Sequence, residues 1–112
     1  METDAEKAIL WASIEDYPAL WQLASELQGM GVDEEHAYEE ARAIADRLVR
    51  AGALRVGIRR ADSDDMRFVA DEAGLELIAD PDRWRIPEWT DDVVAVDATD
   101  AGKARYEALF DR

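Results

Sequence analysis

The sequence predicts an α+β fold in one domain spanning residues 1–112. Three helices come first, followed by a two- to three-stranded antiparallel sheet with an insertion and then a C-terminal helix. Three observations support this prediction. Apolar residues recur at helical spacing in the first half of the chain and again near its end. Two short strand-like apolar segments lie between them, separated by a stretch rich in aspartate and proline. A chain of 112 residues is long enough for one core but not for two.

The first two helices are indicated by their apolar spacing and by the breaks around them. Thr3 or Asp4 is a candidate N-cap for the first helix, which we expect to end near Glu15. Pro18 disfavours the helical conformation at the preceding residue and suits the first turn of a second helix. Gly29–Gly31 then stop that second helix. The two apolar faces are Ala5, Ala8, Ile9 and Ala12 in the first helix, and Leu20, Leu23, Ala24 and Leu27 in the second.

A longer third helix is predicted from Asp33, its N-cap, to Ala51, with Gly52 ending it. Its apolar face is formed by Ala37, Ala41, Ile44, Leu48 and Ala51.

The predicted sheet is built from two strands that are distant in sequence. In the first, Leu54, Val56 and Ile58 alternate with Arg55 and Gly57, which is typical of a half-buried strand. The second is the apolar run at residues 93–96, which we expect to pair with the first. After it, Thr99 is the predicted N-cap of a last helix that reaches about Phe110.

The insertion between these strands contains a short predicted helix over Asp71–Ala79 and then the turn-rich segment Asp80–Trp89. We expect this segment to fold back over the sheet, with Trp84 buried as its anchor. Trp89 is expected to be partly exposed, which makes it the best aromatic candidate for contact with a partner.

The order of these elements resembles the winged helix-turn-helix superfamily. The residues that carry the resemblance are Leu48, Gly52, Ala53 and Leu54 at the entry to the first strand, with Thr99 and Gly102 after the second. The resemblance implies that the third helix and the sheet form the surface that reads DNA in that superfamily.

The chain also resembles small actinobacterial proteins of uncharacterised function that share DYxGLW, DPxxW and TxxGxxxY blocks. Ala19 stands where that pattern has glycine, and the resemblance implies a fold but no activity. The matching residues are Asp16, Tyr17, Leu20 and Trp21, then Asp80, Pro81 and Trp84, then Thr99, Gly102 and Tyr106.

The charge balance separates two hypotheses about function. Aspartate and glutamate number 27 against 13 lysines and arginines, which gives a formal net charge of −14. Such acidity is typical of a solubilising surface, of adaptation to high salt, or of a surface that avoids nucleic acid and attracts a basic partner.

We therefore expect a non-enzymatic, acidic, winged-helix domain that acts in regulation through protein–protein contact. DNA binding requires cations that neutralise phosphates, and the exposed start of the third helix is acidic instead. The candidate partner contacts are Glu34, Glu35, Tyr38, Glu39, Arg42 and Trp89. The alternative is a DNA-binding transcriptional regulator that uses helix 33–51 and the arginines of the sheet. Its candidate contacts are Arg42, Arg55, Arg59, Arg60 and Arg67.

No catalytic, metal-binding or cofactor-binding motif is found in the sequence. There is no cysteine, and His36 is the only histidine. The acidic run at 62–65 lacks the glycine and glutamate of a calcium loop, because Arg67 and Ala73 stand at those positions. Without cysteine, a signal-peptide pattern or a long apolar run, the composition is typical of a cytoplasmic protein with no membrane partner.

The last helix has a face of small residues, and winged-helix proteins commonly dimerise through terminal helices. This predicts a homodimer or a terminal helix packed tightly on its own chain. The face is formed by Ala101, Ala104, Ala108 and Leu109, with Phe110 beside it.

Overall fold

A computed structural model describes residues 2–110, with side chains from residue 4 onward. The elements are α1 (Glu2–Glu15), α2 (Leu20–Gly29), α3 (Glu34–Arg50), β1 (Leu54–Arg60), β2 (Arg67–Phe68), α4 (Asp71–Ala79), β3 (Asp92–Ala98) and α5 (Asp100–Ala108). A 3-10 turn (Pro81–Trp84) lies between α4 and β3. The α+β class is thus confirmed, with five helices and a three-stranded antiparallel sheet.

Local capping explains where α3 and α5 begin. The Asp33 carboxylate accepts from the backbone N–H of His36 at 2.9 Å, as the sequence predicts. The Thr99 hydroxyl accepts from the backbone N–H of Gly102 at 3.1 Å and donates to the carbonyl oxygen of Gly52 at 2.6 Å. Thr99 therefore caps α5 and also ties it to the turn that follows α3.

Three predicted helix boundaries are corrected. Helix α1 already includes Glu2, so neither Thr3 nor Asp4 precedes it as the cap. Helix α2 begins two residues after Pro18, because Ala19 is held in extended conformation by pairing with the sheet. Helix α5 ends at Ala108, before Phe110.

The sheet has the order β2-β1-β3, with Leu54 opposite Ala98 and Arg60 opposite Asp92. An isolated antiparallel bridge joins Ala19 to Ala95, so the segment between α1 and α2 touches the free edge of β3. The predicted half-buried alternation holds only for the start of β1, since Gly57 and Arg59 are also buried. Close approach of the chain at Met66 and Arg67 covers Gly57.

The core lies between the sheet and helices α1 to α4. Its largest fully buried side chains are Ile9, Leu10, Leu20, Leu23, Leu27, Ile44, Leu48, Val49, Leu54, Val56, Ile78 and Val94. No helix in residues 2–110 is long and apolar enough to cross a membrane.

Segment 80–89 folds back, but its 3-10 turn packs chiefly on α2 and α4 and not over the sheet as expected. Trp84 is only 8% exposed, as predicted, and its ring edge meets Tyr38 of α3 at 5.4 Å between centroids. The Trp84 indole is therefore buried against helices and not against the sheet.

Candidate functional site

Two neighbouring clefts line the surface between α2 and segment 80–89. The first, here the indole cleft, lies at the N-terminal end of α2 and has a cavity volume of about 210 Å³. It is lined by Ala19, Trp21, Gln22, Arg59, Ala61, Ile86, Pro87, Glu88, Trp89 and Val93. Its walls are mostly apolar, and Arg59 and Glu88 are its two charged residues.

The second, here the helix cleft, has a cavity volume of about 400 Å³ and runs along α2. Trp21 and Ile86 line both clefts, so the two clefts adjoin at these side chains. The lining of the helix cleft is Trp21, Ala24, Ser25, Gln28, Glu34, Tyr38, Pro81, Trp84, Arg85 and Ile86.

The apolar side chains at this surface are unusually exposed. Ile86 is 78% exposed and Trp89 is 76% exposed. Trp89 was expected to be partly exposed, and the structure leaves most of its ring in solvent. Large apolar side chains exposed side by side mark contact surfaces more often than single ones do.

Three of the six predicted partner contacts come together here. Glu34 and Tyr38 line the helix cleft, and Trp89 lines the indole cleft. Glu35, Glu39 and Arg42 are exposed on α3 but line neither cleft.

The arginines proposed for DNA contact are largely engaged within the chain. Arg59 is 9% exposed, and its Nε and Nη1 donate to backbone carbonyl oxygens. The Arg55 guanidinium pairs with Asp97 at 2.8 Å and lies 3.6 Å from the ring centroid of Phe68. Arg60 pairs with Asp62 at 2.8 Å.

The remaining two cations are exposed. Arg42 lies 3.5 Å from the Tyr38 hydroxyl, and Arg67 lies on the edge strand β2. Arg67 shares a polar cleft with Arg59 and Arg60, and Asp62, Asp65 and Asp92 line the same cleft.

The His36 side chain interacts with Asp33, the N-cap residue of α3. Its Nδ1 lies 2.8 Å from each oxygen of the Asp33 carboxylate. The Asp33 hydrogen bond raises the pKa of His36, and the backbone N–H of His36 is the main cause that lowers the pKa of Asp33. Across the part of the chain with described side chains, no group of three or more histidine, aspartate or glutamate residues is placed to hold a metal ion.

A second aromatic surface joins the two terminal helices. Trp11 of α1 stacks on Tyr106 of α5 at 5.4 Å, and Tyr106 meets Phe110 edge-on at 4.9 Å. The Lys7 ammonium lies over the Phe110 ring. The predicted small-residue face of α5 is exposed at Ala101, Ala104 and Ala108, whereas Leu109 packs against the core. The homodimer predicted through this face stays a prediction.

Sequence reasoning named Arg59 only as a candidate nucleic-acid contact, and it missed Gln22. The side-chain oxygen of Gln22 accepts from the backbone N–H of Ala19 at 2.7 Å, and a glutamine three residues after a helix start is a recognisable signal. Arg59 had no such signal, because its acceptors become neighbours only after folding. Trp21 and Ile86 likewise line the same clefts although 65 positions separate them in the sequence.

Comparison of the chain with protein-family models, curated proteins and solved structures finds no match.

Proposed function

We propose that this chain is a winged-helix-like domain that acts, without catalysis, through contact with another protein at the indole and helix clefts. The observation that carries the proposal is the exposure of Ile86 and Trp89 beside Trp21 at the junction of the clefts. Protein interfaces typically centre on a few such apolar anchors, with aromatic rings prominent among them.

The winged-helix part of the proposal is supported by topology. The chain begins with two helices separated by a strand-like residue, and a third helix follows. The sheet comes next, and its two long strands flank an insertion. The bridge from Ala19 to Ala95 supplies the short first strand of such an arrangement. The long insertion at 61–91 takes the place of a simple wing and builds one wall of both clefts.

The charge of the surface supports a basic protein partner over DNA. Glu34 and Glu88 stand at the clefts, and the formal net charge is −14. Complementary charge speeds and orients association between proteins. The same acidity repels DNA phosphates, and the arginines that would oppose that repulsion are mostly engaged.

Site-specific photo-crosslinking tests the contact. A photoreactive amino acid replaces Trp89 in one variant and Trp11, on the terminal-helix surface, in a control. We expect an adduct from position 89 in cells, and the purified partner should then bind the native chain. Ile86→Ala and Trp89→Ala should weaken that binding by roughly tenfold or more, whereas Trp11→Ala should not. Equal weakening by Trp11→Ala would contradict the proposed surface.

A gel shift against mixed genomic fragments at low salt tests the DNA alternative, because low salt maximises binding driven by phosphate contacts. We expect free DNA at every protein concentration. A shift that is lost in an Arg42→Ala, Arg67→Ala double variant would support the alternative and overturn the proposal.

A further inference from the structure

Arg59 is a nine-tenths buried cation with no carboxylate partner. Its Nε donates to the carbonyl oxygen of Tyr17 at 3.0 Å. Its Nη1 donates to the carbonyl oxygens of Arg60, Ala61 and Ser63 at 3.0, 3.2 and 3.3 Å. Among the described residues, no aspartate or glutamate oxygen lies within 4.0 Å of this guanidinium. Buried charges are usually paired with an opposite charge.

One nitrogen of Arg59 remains available to a ligand. Nη2 has no hydrogen bond to any described residue. No fully buried side-chain nitrogen in the described part of the chain lacks a partner, so Nη2 reaches solvent. In the planar guanidinium, Nη2 lies on the same edge as Nε. That edge faces the carbonyl oxygen of Tyr17, and Arg59 itself lines the indole cleft.

Gln22 supplies a second free donor in the same cleft. The backbone N–H of Ala19 can only donate, so the amide atom that accepts from it is Oε1. This fixes the orientation of the amide, and the Nε2 group is left as a donor. Arg59 and Gln22 both line the indole cleft, and each has a donor group without a hydrogen-bond partner among the described residues. Arg59 also lines a polar cleft beside Asp62 and Asp65.

We propose that the indole cleft binds the C-terminal carboxylate of a partner polypeptide whose last side chain is apolar. One carboxylate oxygen accepts from Arg59 Nη2 and the other from Gln22 Nε2. The terminal side chain lies between Trp21 and Trp89. This inference rests on the proposed protein contact and names the chemistry of the partner.

The adjacency of the two clefts favours a polypeptide over a small carboxylic acid. The indole cleft holds little more than one side chain and its carboxylate, and the preceding residues have the helix cleft to occupy. The net charge of −14 repels a free anion at long range, whereas basic residues upstream of the terminus offset that repulsion and meet Glu34.

Binding is tested first by changing the ligand and not the protein. The probe is an acetylated pentapeptide with lysine at its start and leucine at its free C-terminus, compared with the same peptide as a C-terminal amide. Indole N–H signals in NMR spectra report on the four tryptophans separately. We expect the acid to shift Trp21 and Trp89 while Trp11, on the terminal-helix surface, stays in place. The amide should bind more weakly than the acid, by roughly tenfold or more. Equal binding of acid and amide would overturn the proposal.

Gln22→Glu is the matched protein variant. A glutamate at this position still accepts from the Ala19 N–H, so the start of α2 should be preserved. It replaces the Nε2 donor by an anion, and we expect it to reduce binding of the acid peptide by roughly tenfold or more. Lys103→Gln lowers the net charge by the same amount at an exposed position of α5 that lines neither cleft, and it should bind like the native chain. Full binding by a folded Gln22→Glu chain would contradict the carboxylate contact.

A third arm separates the two sources of the carboxylate. 4-Methylpentanoate carries the same apolar group and carboxylate without a peptide chain. We expect it to bind far more weakly than the pentapeptide, and equal affinity would overturn the choice of a polypeptide terminus. If the crosslinked partner loses binding in Trp89→Ala but not in Gln22→Glu, the carboxylate inference fails while the proposed protein contact stands.

Discussion

The indole of Trp84 donates its Nε1–H to the carbonyl oxygen of Ile78 at 2.9 Å. This bond joins the 3-10 turn to the end of α4, while the ring meets Tyr38 of α3. Trp84 thus fixes the base of the segment whose outer end carries Ile86 and Trp89. The buried tryptophan holds the segment in place, and the exposed one remains available for contact.

Replacing Trp84 by alanine should lower the free energy of unfolding strongly, whereas replacing Trp89 should leave it nearly unchanged. Trp84→Ala removes a buried ring and leaves the Ile78 carbonyl without its donor, so we expect a loss of about 3–5 kcal/mol in the free energy of unfolding. Trp89→Ala should change it by less than about 0.5 kcal/mol, because its ring is mostly in solvent. Thermal and urea melts of both variants beside the native chain measure the difference. Equal destabilisation would mean that Trp89 belongs to the core.

Gly102 should not tolerate a side chain. A Cβ at this position would overlap the backbone carbonyl group of Ala53. We expect Gly102→Ala to destabilise the domain by about 1–3 kcal/mol or more. Gly29→Ala is the control, since a Cβ there meets no atom within 4 Å. A urea melt in which both variants match the native chain would show that α5 shifts freely against the turn.

Glu6 should make the free energy of unfolding depend on pH in the acidic range. Burial alone would raise its pKa, but hydrogen bonds from Arg105 and Arg47, at 3.1 Å each, lower that pKa below the usual value. A lowered folded-state pKa stabilises the fold above the unfolded pKa of about 4.3, and this stabilisation is lost as pH falls through the folded pKa.

The corresponding variant is Glu6→Gln, which should lower the free energy of unfolding by about 1–3 kcal/mol near neutral pH. The difference from the native chain should shrink as the pH falls to about 3. Urea melts across this range measure it, and a constant difference would show that the charge of Glu6 has no role.

His36 should titrate above its ordinary pKa because of Asp33. A raised folded-state pKa stabilises the fold below the unfolded pKa of about 6.5, and that contribution is lost as pH rises through the folded pKa. Asp33→Asn keeps an oxygen for the backbone cap and removes the charge, so the pKa of His36 should fall toward its ordinary value. NMR titration of the single imidazole measures both chains. The same pKa in the two would exclude Asp33 as the cause.

The terminal-helix surface predicts self-association. Sedimentation of the native chain at high concentration should show a homodimer, and Phe110→Ser should shift it to monomer by removing an exposed aromatic ring beside the small-residue face. Trp89→Ala, at the indole cleft, should leave the dimer intact. A monomeric native chain would leave α5 as a helix packed only on α1 and the sheet.

Local chemistry alone determined much of the fold. Asp33 and Thr99 cap their helices because a short polar side chain reaches the N–H three residues ahead. Gly52 ends the turn after α3 at a φ of +76°, which glycine adopts without strain. These interactions span a few residues, so the sequence predicts them. The pairing of β1 with β3 also followed, because only two segments had strand-like apolar patterns.

Only the tertiary structure decided the candidate site. Arg59 has the same exposed-side pattern as Arg55 in the sequence, yet one is buried and the other is not. The difference arises because Tyr17 brings a carbonyl oxygen to Arg59 from 42 positions away. Ile86 and Trp21 likewise line the same clefts in a fold where Trp84 holds its segment against Ile78 and Tyr38. Contacts between distant segments depend on the packed core as a whole, and no local pattern of residues encodes them.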